Sequence, residues 1–210
     1  MQQQLIVFTR YPEPGNAKTR LIPALGEEGA AMLSRQMTEH TLRQVRSLQQ
    51  QLSIAVEIRF AGGTIERMQQ WLGQDWTYTP QGEGDLGDRL TRSLQTAFAG
   101  GIQQAIVIGT DCPELDSQQL REAFQALEQS PLVLGPANDG GYYLIGMNRF
   151  IPELFANIAW STSTVLQQTL EIAKTLKIAI AQLPMLSDVD YPEDLAVWFG
   201  CHNRVNSTNV

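Results

Sequence analysis

The stretch AIVIGTDCPEL, residues 105–115, decides the fold. Its first four residues form an apolar run that is rich in β-branched side chains and too short for a helix, which is typical of a strand buried on both faces. Pro113 ends this strand because proline has no N–H to donate to a neighbour. Asp116, with a glutamine three residues later, predicts the N-cap of a following helix. Asp111 therefore lies where a buried strand meets solvent, and ligands of open α/β sheets bind at that edge.

Asp111 has two interpretations. In a Thr-Asp-x-Pro turn it can be an ordinary turn or capping residue, which needs no ligand. Its position at the strand edge favours a functional role, since Mg²⁺ and Mn²⁺ prefer carboxylate oxygens and often bridge to substrate phosphates. We therefore expect Asp111 to be a metal ligand and to take part in catalysis.

The composition is that of an ordinary globular chain, with 210 residues of which 43% are hydrophobic and 18% charged. A net charge of −7 argues against broad binding of nucleic acid, which needs a basic surface. No apolar run has the length of a membrane span, and the N-terminus lacks the basic start and cleavage site of a signal peptide. Cys112 and Cys201 form no CxxC pair, so we expect neither a disulfide framework nor a zinc site, and a cytoplasmic location.

Apolar runs alternate with amphipathic segments along the first two thirds of the chain. The predicted strands cover residues 5–8, 54–60, 76–79, 105–108, 132–135, 142–147 and 178–183. The predicted helices cover residues 27–48, 64–72, 86–98, 116–127, 152–158 and 164–174, and a last helix ends near residue 199. This alternation predicts one α/β domain over residues 1–200, with a mostly parallel, mixed sheet and helices on both faces. Residues 201–210 are polar and are expected to be a disordered tail.

The loop TRYPEPGNAKTR, residues 9–20, follows the first predicted strand. Its prolines and its glycine exclude helix and sheet. It carries Arg10, Lys18 and Arg20 in an otherwise acidic chain, and Gly15 allows the backbone a close approach to a ligand. Clustered cations and backbone N–H groups suit phosphate, whereas the alternative is a solvated basic loop. With a single glycine, the loop matches neither the Rossmann nor the Walker pattern.

A second glycine-rich loop, QGEGDLG at residues 81–87, opens a helix whose apolar residues recur every four positions. Asp85 and Asp88 at the start of that helix suit helix capping and the first-turn dipole. Alternatively, Gly84 and Gly87 let the loop approach a bound nucleotide base or sugar. The two interpretations stay open.

The turn PANDGG, residues 136–141, lies between two predicted strands. A plain hairpin would explain it without a function. However, the turn is longer than a minimal hairpin needs, and it reaches the same sheet edge as Asp111 if the intervening strands are neighbours. We therefore expect Asp139 to be catalytic. The candidate substrate-binding residues of this turn are Asn138, Gly140 and Gly141.

The segment SDVDYPEDL, residues 187–195, follows the last predicted strand. Asp190 and Glu193 form a start like a capping box for the last helix, which explains Asp190 without a function. Asp188 and Asp190 nevertheless alternate on an extended segment, and either could complete a metal site with Asp111.

Six segments occur in the order found in a bacterial family of uncharacterised glycosyltransferase A-like proteins: IVFTRYPEPGNAKTRL, GDLGDRL, IGTDCPEL, LGPANDGGYYLIGM, WSTSTVL and DVDYPEDL. The chain resembles this family from about residue 5 to residue 198. The family is similar in turn to the nucleotide-diphospho-sugar transferase superfamily, which includes the guanylyltransferases of molybdenum cofactor and of phospholactate. The resemblance implies a single Rossmann-like GT-A domain.

The resemblance also implies roles for individual residues. The first loop would bind nucleotide phosphates, a role carried here by Arg10, Gly15, Lys18, Thr19 and Arg20. Asp111 matches the acidic metal-binding position of the superfamily. Asp190 matches a second metal ligand, with Asp188 as the alternative. The expected cofactor is Mg²⁺ or Mn²⁺.

The expected function is metal-dependent glycosyl transfer from a nucleotide-diphospho-sugar to an acceptor that the sequence does not name. An alternative is nucleotidyl transfer, in which a phosphorylated acceptor attacks a nucleoside triphosphate and releases pyrophosphate. The three cations of the first loop also suit a triphosphate. A second alternative is a nucleotide-binding module without catalysis. The expected partner is therefore a nucleotide or nucleotide sugar, and whether the chain forms a homo-oligomer is left open.

Overall fold

The strand predicted at residues 105–108 lies in the middle of a seven-stranded sheet in the computed structural model, which describes residues 2–207. Along the sheet the strand order is β3-β2-β1-β4-β6-β5-β7. The strands are β1 (Gln3–Arg10), β2 (Ala55–Ala61), β3 (Thr77–Pro80), β4 (Gln104–Ile108), β5 (Leu132–Pro136), β6 (Tyr142–Met147) and β7 (Ile180–Gln182). The helices are α1 (Ile22–Gln49), α2 (Ile65–Leu72), α3 (Leu86–Ala99), α4 (Ser117–Gln129), α5 (Val165–Thr175) and α6 (Leu195–Ser207). The predicted mixed, mostly parallel α/β sheet is confirmed.

Strand β6 gives the sheet its mixed character. It pairs antiparallel with both β4 and β5, whereas the β1–β2, β1–β4, β2–β3 and β5–β7 pairs are parallel. The turn between β5 and β6 therefore lies at the same sheet edge as the carboxyl end of β4. This confirms the condition on which a shared site for that turn and Asp111 depends.

Most of the core forms two apolar layers, one on each face of the sheet, and a smaller third cluster joins α1 to the segment around Val189. Helices α1, α2 and α4 cover one face, where Leu48, Met68 and Phe124 are almost fully buried. Helices α3 and α5 cover the other face, where Leu94 and Ala173 are fully buried. Burying one large aliphatic or aromatic side chain contributes about 1.5–3 kcal/mol, so these two layers stabilise the sheet that positions the loops.

Helix starts agree closely with the sequence wherever a capping side chain is present. Asp85 and Asp116 each form a complete capping box at the start of α3 and α4. Thr64 accepts the N–H of Arg67 at the start of α2. A short polar side chain satisfies N–H groups that the first helical turn leaves unpaired, which makes these boundaries predictable from local sequence.

Other boundaries differ from the prediction. Helix α1 begins at Ile22 rather than at residue 27, with a break at Gly26, where φ is 71° and ψ is 170°. The helix expected at residues 152–158 is a short 3-10 helix, Pro152–Phe155. Helix α6 extends to Ser207, which corrects the expected disordered tail for residues 201–207. The last three residues of that tail lie outside the described part. Between residues 2 and 207, no helix has the length and apolar character needed to cross a membrane.

Gly140 holds the β5–β6 turn against the loop before α5. Its φ is +87°, and a Cβ placed there would collide with the backbone carbonyl of Ser163. We predict that Gly140→Ala lowers the free energy of unfolding by more than about 2 kcal/mol, since a left-handed backbone alone costs about 1–3 kcal/mol and the collision adds to it. Urea denaturation followed by circular dichroism measures this change.

Gly26→Ala is the matched control. Gly26 also has a positive φ of +71°, but no atom lies within 4 Å of the position a Cβ would take. Its cost is therefore backbone strain alone. Equal losses in the two variants would mean that the contact between Gly140 and Ser163 contributes nothing.

Candidate functional site

A cleft of about 1060 Å³ opens at the sheet edge where the parallel strands end. Most of its wall comes from six distant segments: the first loop with the end of β1, residues 81–90 around the start of α3, the loop after β4, the β5–β6 turn, residues 160–163 and residues 188–191. These are the segments in which the sequence placed most of its candidate residues. The strand order brings them together because β1, β4, β6 and β5 are successive neighbours.

The Lys18 ammonium lies at the centre of this arrangement. Its Nζ is 2.6 Å from Asp111 Oδ1 and 2.7 Å from Asp190 Oδ1. It also donates to the Val189 carbonyl oxygen at 2.7 Å. Three oxygens therefore accept the three N–H groups of one cation. The two carboxylates that were expected to share a metal ion share this ammonium instead.

Burial and charge act in opposite directions on Lys18. Only 7% of its side chain is exposed. Burial by itself lowers the pKa of a lysine, but Asp111 and Asp190 outweigh that effect, and the pKa of Lys18 lies above its ordinary value. The ammonium is therefore charged at every physiological pH.

The backbone at Lys18 is also unusual. It is left-handed, with φ 49° and ψ 47°, and it directly precedes the 3-10 helix Thr19–Leu21. Non-glycine residues adopt this conformation at a cost, and such residues cluster at functional sites. A left-handed residue next to a helical one turns successive N–H groups to one side, which makes a concave anion-binding surface. The first loop therefore has a backbone suited to phosphate, as its sequence suggested.

Arg20 reinforces the same cluster from the outside. Its Nη1 is 3.2 Å from Asp190 Oδ2, and its guanidinium carbon lies 5.1 Å from the centre of the Tyr191 ring. Asp190 therefore accepts from two cations, one buried and one about half-exposed.

The Asp190 carboxylate can accept from both cations because the capping contacts before the last helix use the Asp194 carboxylate instead. The expected capping pair of Asp190 and Glu193 is wrong. Asp194 Oδ2 accepts the N–H groups of Asp190 at 3.0 Å and Tyr191 at 2.7 Å. The capping interaction therefore begins one residue later than expected, at Tyr191 with Asp194 three residues on, where the 3-10 turn Pro192–Asp194 starts.

The segment before α6 is attached to the Asp111 loop through its backbone. The Val189 N–H donates to the Asp111 carbonyl oxygen at 2.9 Å, and the Val189 side chain is fully buried. Alternation along the extended segment then places Asp188 and Asp190 on the opposite side from Val189. Both aspartates line the cleft, but in this structure only Asp190 shares the Lys18 cation with Asp111.

Asp188 and Asp139 form a second acidic pair in the cleft. Asp139 Oδ1 accepts the Gly141 N–H at 2.8 Å, which fixes the turn. Burial, followed by the negative charge of Asp139, raises the pKa of Asp188 to about 6. A carboxyl group that titrates near neutral pH in a cleft has the properties of a proton acceptor.

Several predicted site residues do not line the cleft. Gly15 has a left-handed backbone, with φ 77°, in the first loop. Asn138 donates to Ser187 Oγ at 2.7 Å, and Gly140 packs on Ser163. Gly84 packs against the Asp88 side chain, and Gly87 packs against the Trp160 indole. These residues shape the loops, whereas the predicted residues that line the cleft are Arg10, Lys18, Thr19, Arg20, Asp111, Asp139, Gly141, Asp188 and Asp190.

Sequence reasoning missed three contributors to the cleft. Arg89 on α3 donates to Gln81 Oε1 at 3.2 Å and to the Gly84 carbonyl at 3.1 Å. Trp160 and Tyr191 contribute aromatic side chains. A tryptophan between a buried segment and a run of four Ser and Thr residues was a usable signal for Trp160, but only the fold places it in the same cleft as Asp139.

The donor set fits a Mg²⁺-type ion only in part. Among residues 2–201, whose side chains the structure describes, no three His, Cys, Asp or Glu side chains are arranged to hold a metal by themselves. Two carboxylates do converge on one positive charge, and Mg²⁺ is commonly bound by one or two carboxylates plus substrate phosphates and water. The residues present therefore suit an ion that arrives with a phosphate ligand.

The sheet, the loop order and the cleft define a nucleotide-diphospho-sugar transferase-like α/β domain. The family described as "Uncharacterized protein conserved in bacteria (DUF2064)" matches residues 42–162, which is more than half of the chain. The chain therefore belongs to the DUF2064 family. A structure of a provisionally assigned nucleotide-diphospho-sugar transferase from Desulfovibrio desulfuricans G20 is 33% identical, with a TM-score of 0.88 over 95% of this chain and 87% of that chain. No curated protein matches the chain.

More distant structures share the fold alone. CMP:2-keto-3-deoxy-manno-octonic acid synthetase in complex with CTP is 13% identical, with a TM-score of 0.58 over 97% of this chain and 99% of that chain. Rv0371c from Mycobacterium tuberculosis H37Rv in complex with manganese is also 13% identical, with a TM-score of 0.54 over 93% of this chain and 97% of that chain.

The raised pKa of Asp188 predicts a pH-dependent stability difference. A carboxyl pKa of about 6 in the folded chain, above its ordinary 3.8, adds stability below pH 4 that is lost as the pH rises through 6. We predict that Asp188→Asn, which cannot ionise, gains stability relative to the parent chain as the pH rises from 4 to 8. Urea denaturation at several pH values measures this difference.

Glu128→Gln is the control, since Glu128 is exposed on α4 and has no ion pair within the described residues. A difference between parent and Asp188→Asn that stays constant with pH would contradict the assigned environment of Asp188.

Proposed function

We propose that this protein is a metal-dependent transferase that uses a nucleotide-activated donor, and that it transfers a glycosyl group from a nucleotide-diphospho-sugar. The observation that carries the proposal is the convergence of Lys18, Asp111 and Asp190 at the carboxyl edge of the sheet. The 33%-identical structure supports the donor class, since that protein is provisionally assigned as a nucleotide-diphospho-sugar transferase. The manganese complex of a protein with the same fold supports the choice of a divalent ion.

The first loop would bind the diphosphate of the donor. Arg10 at the end of β1 lines the cleft and has no ion pair among residues 2–207, so its charge is available to a phosphate. The left-handed backbone at Lys18 would supply N–H groups to the same anion. A second, smaller cavity of about 410 Å³ continues from Arg10 along the ends of β2 and β3 and has room for the nucleoside.

Asp111 and Asp190 would hold Mg²⁺ or Mn²⁺ together with the phosphate oxygens. When bound, the ion neutralises the charge that develops on the nucleoside diphosphate as it leaves. The ammonium of Lys18 occupies the place between these carboxylates, so lysine and metal compete for the same two groups. Asp139 or Asp188 on the far side of the cleft would orient the acceptor hydroxyl and take its proton.

The product distinguishes the proposed reaction from nucleotidyl transfer. We expect nucleotide sugars with Mn²⁺ and an acceptor pool to yield free nucleoside diphosphate, and nucleoside triphosphates to yield no pyrophosphate. We also predict that Asp111→Asn weakens Mn²⁺-dependent binding of the nucleoside diphosphate at least tenfold, because an amide oxygen carries no charge to hold the ion. Calorimetry with and without Mn²⁺ measures this loss.

Asp116→Asn is the matched control for Asp111→Asn. It makes the same chemical change five residues away, and asparagine still caps α4 well. Pyrophosphate release would favour nucleotidyl transfer. Nucleotide binding that is equal with and without Mn²⁺ would favour a binding module without metal chemistry.

Competition between Lys18 and the metal gives a second prediction. We expect Lys18→Met to raise the affinity of nucleotide-free protein for Mn²⁺ about tenfold, or ~1.4 kcal/mol, because the ion no longer displaces an ammonium from both carboxylates. The same variant should bind nucleoside diphosphate more weakly. Calorimetry with Mn²⁺ alone and then with nucleotide measures the two effects.

Arg20→Met is the control for Lys18→Met, since it removes the more exposed cation from the same Asp190 carboxylate. If Lys18→Met leaves Mn²⁺ affinity unchanged, lysine and metal do not share a position.

A further inference from the structure

The positive charges of the cleft come from β1, the loop after it and α3. The cationic side chains that line it within residues 2–207 are Arg10, Lys18, Arg20 and Arg89. The first three belong to β1 and the loop after it. Arg89 is directed toward the Gln81 side by its bonds to Gln81 Oε1 and the Gly84 carbonyl.

A second group of segments lines the cleft with negative charge, hydroxyls and an aromatic ring. Asp139 belongs to the β5–β6 turn and Asp188 to the segment before α6, and both line the cleft. Beside them, residues 160–163 contribute the Trp160 side chain and two exposed serines. No described lysine or arginine lines the cleft from any of these segments.

Residues 160–163 are held in place against the rest of this wall. The Ser163 backbone packs on Gly140, and the Leu166 N–H donates to the Gly140 carbonyl at 2.9 Å. The edge of the Trp160 indole packs on Gly87 at the start of α3, where even a Cβ would collide with it. This contact gives Gly87 a reason to be glycine that does not involve a nucleotide.

The serine hydroxyls of this wall are available to a ligand. Neither Ser161 nor Ser163 has a side-chain hydrogen bond among the described residues, whereas Thr162 Oγ1 donates to the Ala159 carbonyl at 2.7 Å. Ser161 also has a left-handed backbone, with φ 63°. A non-glycine residue in this conformation at a cleft wall is typical of a functional site.

We propose that this wall, defined by Trp160, Ser161, Ser163, Asp139 and Asp188, binds an uncharged ring that bears hydroxyl groups, and rejects a phosphorylated one. The ring packs an apolar face against the Trp160 side chain, and its hydroxyls donate to the carboxylates and exchange hydrogen bonds with the serines. A phosphate against this wall would meet two carboxylates, and the cations Lys18 and Arg20 are already paired with Asp111 and Asp190. The inference rests on the proposed function and names the class of its substrate.

The test uses the protein loaded with Mn²⁺ and a nucleoside diphosphate, so that the proposed phosphate site at the first loop is filled. The probes are matched pairs: methyl glucoside with glucose 6-phosphate, and ribose with ribose 5-phosphate. Saturation-transfer NMR and tryptophan fluorescence report binding. We expect one neutral member to bind, at least tenfold more tightly than its phosphorylated partner.

Variants then assign the binding to this wall. Trp160→Ala should abolish ring binding, and Trp160→Phe should restore part of it. Gly87→Ala displaces Trp160 without changing a residue that lines the cleft, so it should weaken ring binding and leave nucleoside diphosphate affinity unchanged. Weaker ring binding with an unchanged nucleoside diphosphate affinity distinguishes a positioning role of Gly87 from a general loss of structure.

The ring can come from the donor or from the acceptor. If it is the donor sugar, a nucleotide sugar binds more tightly than the nucleoside diphosphate, Trp160→Ala removes the gain, and free glycoside no longer binds to donor-loaded protein. If it is the acceptor, the neutral sugar still binds to donor-loaded protein. Either result supports the proposal.

Three results would overturn it: tighter binding of the phosphorylated member, no binding of any neutral ring to the loaded protein, or ring binding that Trp160→Ala leaves unchanged. In each case nucleoside diphosphate binding itself stands, so the proposed function survives. Failure of the nucleoside diphosphate to bind with Mn²⁺ would instead remove the proposed function, and this inference with it.

Discussion

Two carboxylates, from the middle and the C-terminal part of the chain, share the buried ammonium of Lys18, and the edge of the sheet that carries the cleft depends on that arrangement. Asp111 and Asp190 each lie within 2.7 Å of Lys18 Nζ. Carboxylates this close repel one another unless a cation lies between them. The lysine therefore allows three loops to meet in the absence of a metal. It also orients both carboxylates toward one point, as a divalent ion requires.

Strand order gives the cleft its polarity. The parallel β1–β2–β3 half ends beside Arg10 and a cavity of about 410 Å³, and Asp111 follows the end of β4. The antiparallel β6 then brings the Asp139 turn to the same edge. Cations, carboxylates, hydroxyls and aromatic rings from these loops thereby line one cleft. The sheet topology thus brings loops that are distant in sequence together at one edge of the sheet.

Membership of the DUF2064 family and the shared fold do not by themselves choose a reaction. Structures with the same fold include a synthetase bound to CTP and a protein bound to manganese, both at 13% identity. Function resides in the side chains that a fold carries. Here the β5–β6 turn and residues 160–163 line the cleft with neutral or acidic side chains, which favours the uncharged ring proposed above over a phosphorylated one.

Local sequence determined the elements and many of the candidate residues. Strand and helix positions followed from hydrophobic period and from capping side chains such as Asp85, Asp116 and Thr64, because these signals act within one turn or one strand. Asp111, Asp139 and Asp190 were found because turn residues at the ends of buried strands mark a functional edge. Their order along the chain, however, does not indicate which of these carboxylates share a common partner.

Tertiary structure decided the partners. Whether Lys18 binds phosphate or carboxylate, and whether Gly87 faces a nucleotide or Trp160, depends on residues dozens of positions away. Contacts of this kind follow from the pairing of β6 between β4 and β5, which no local pattern encodes. The sequence by itself thus determined which groups reach the edge of the sheet, and only the folded chain decided which charges neutralise one another there, since electrostatic energy depends on distance in space.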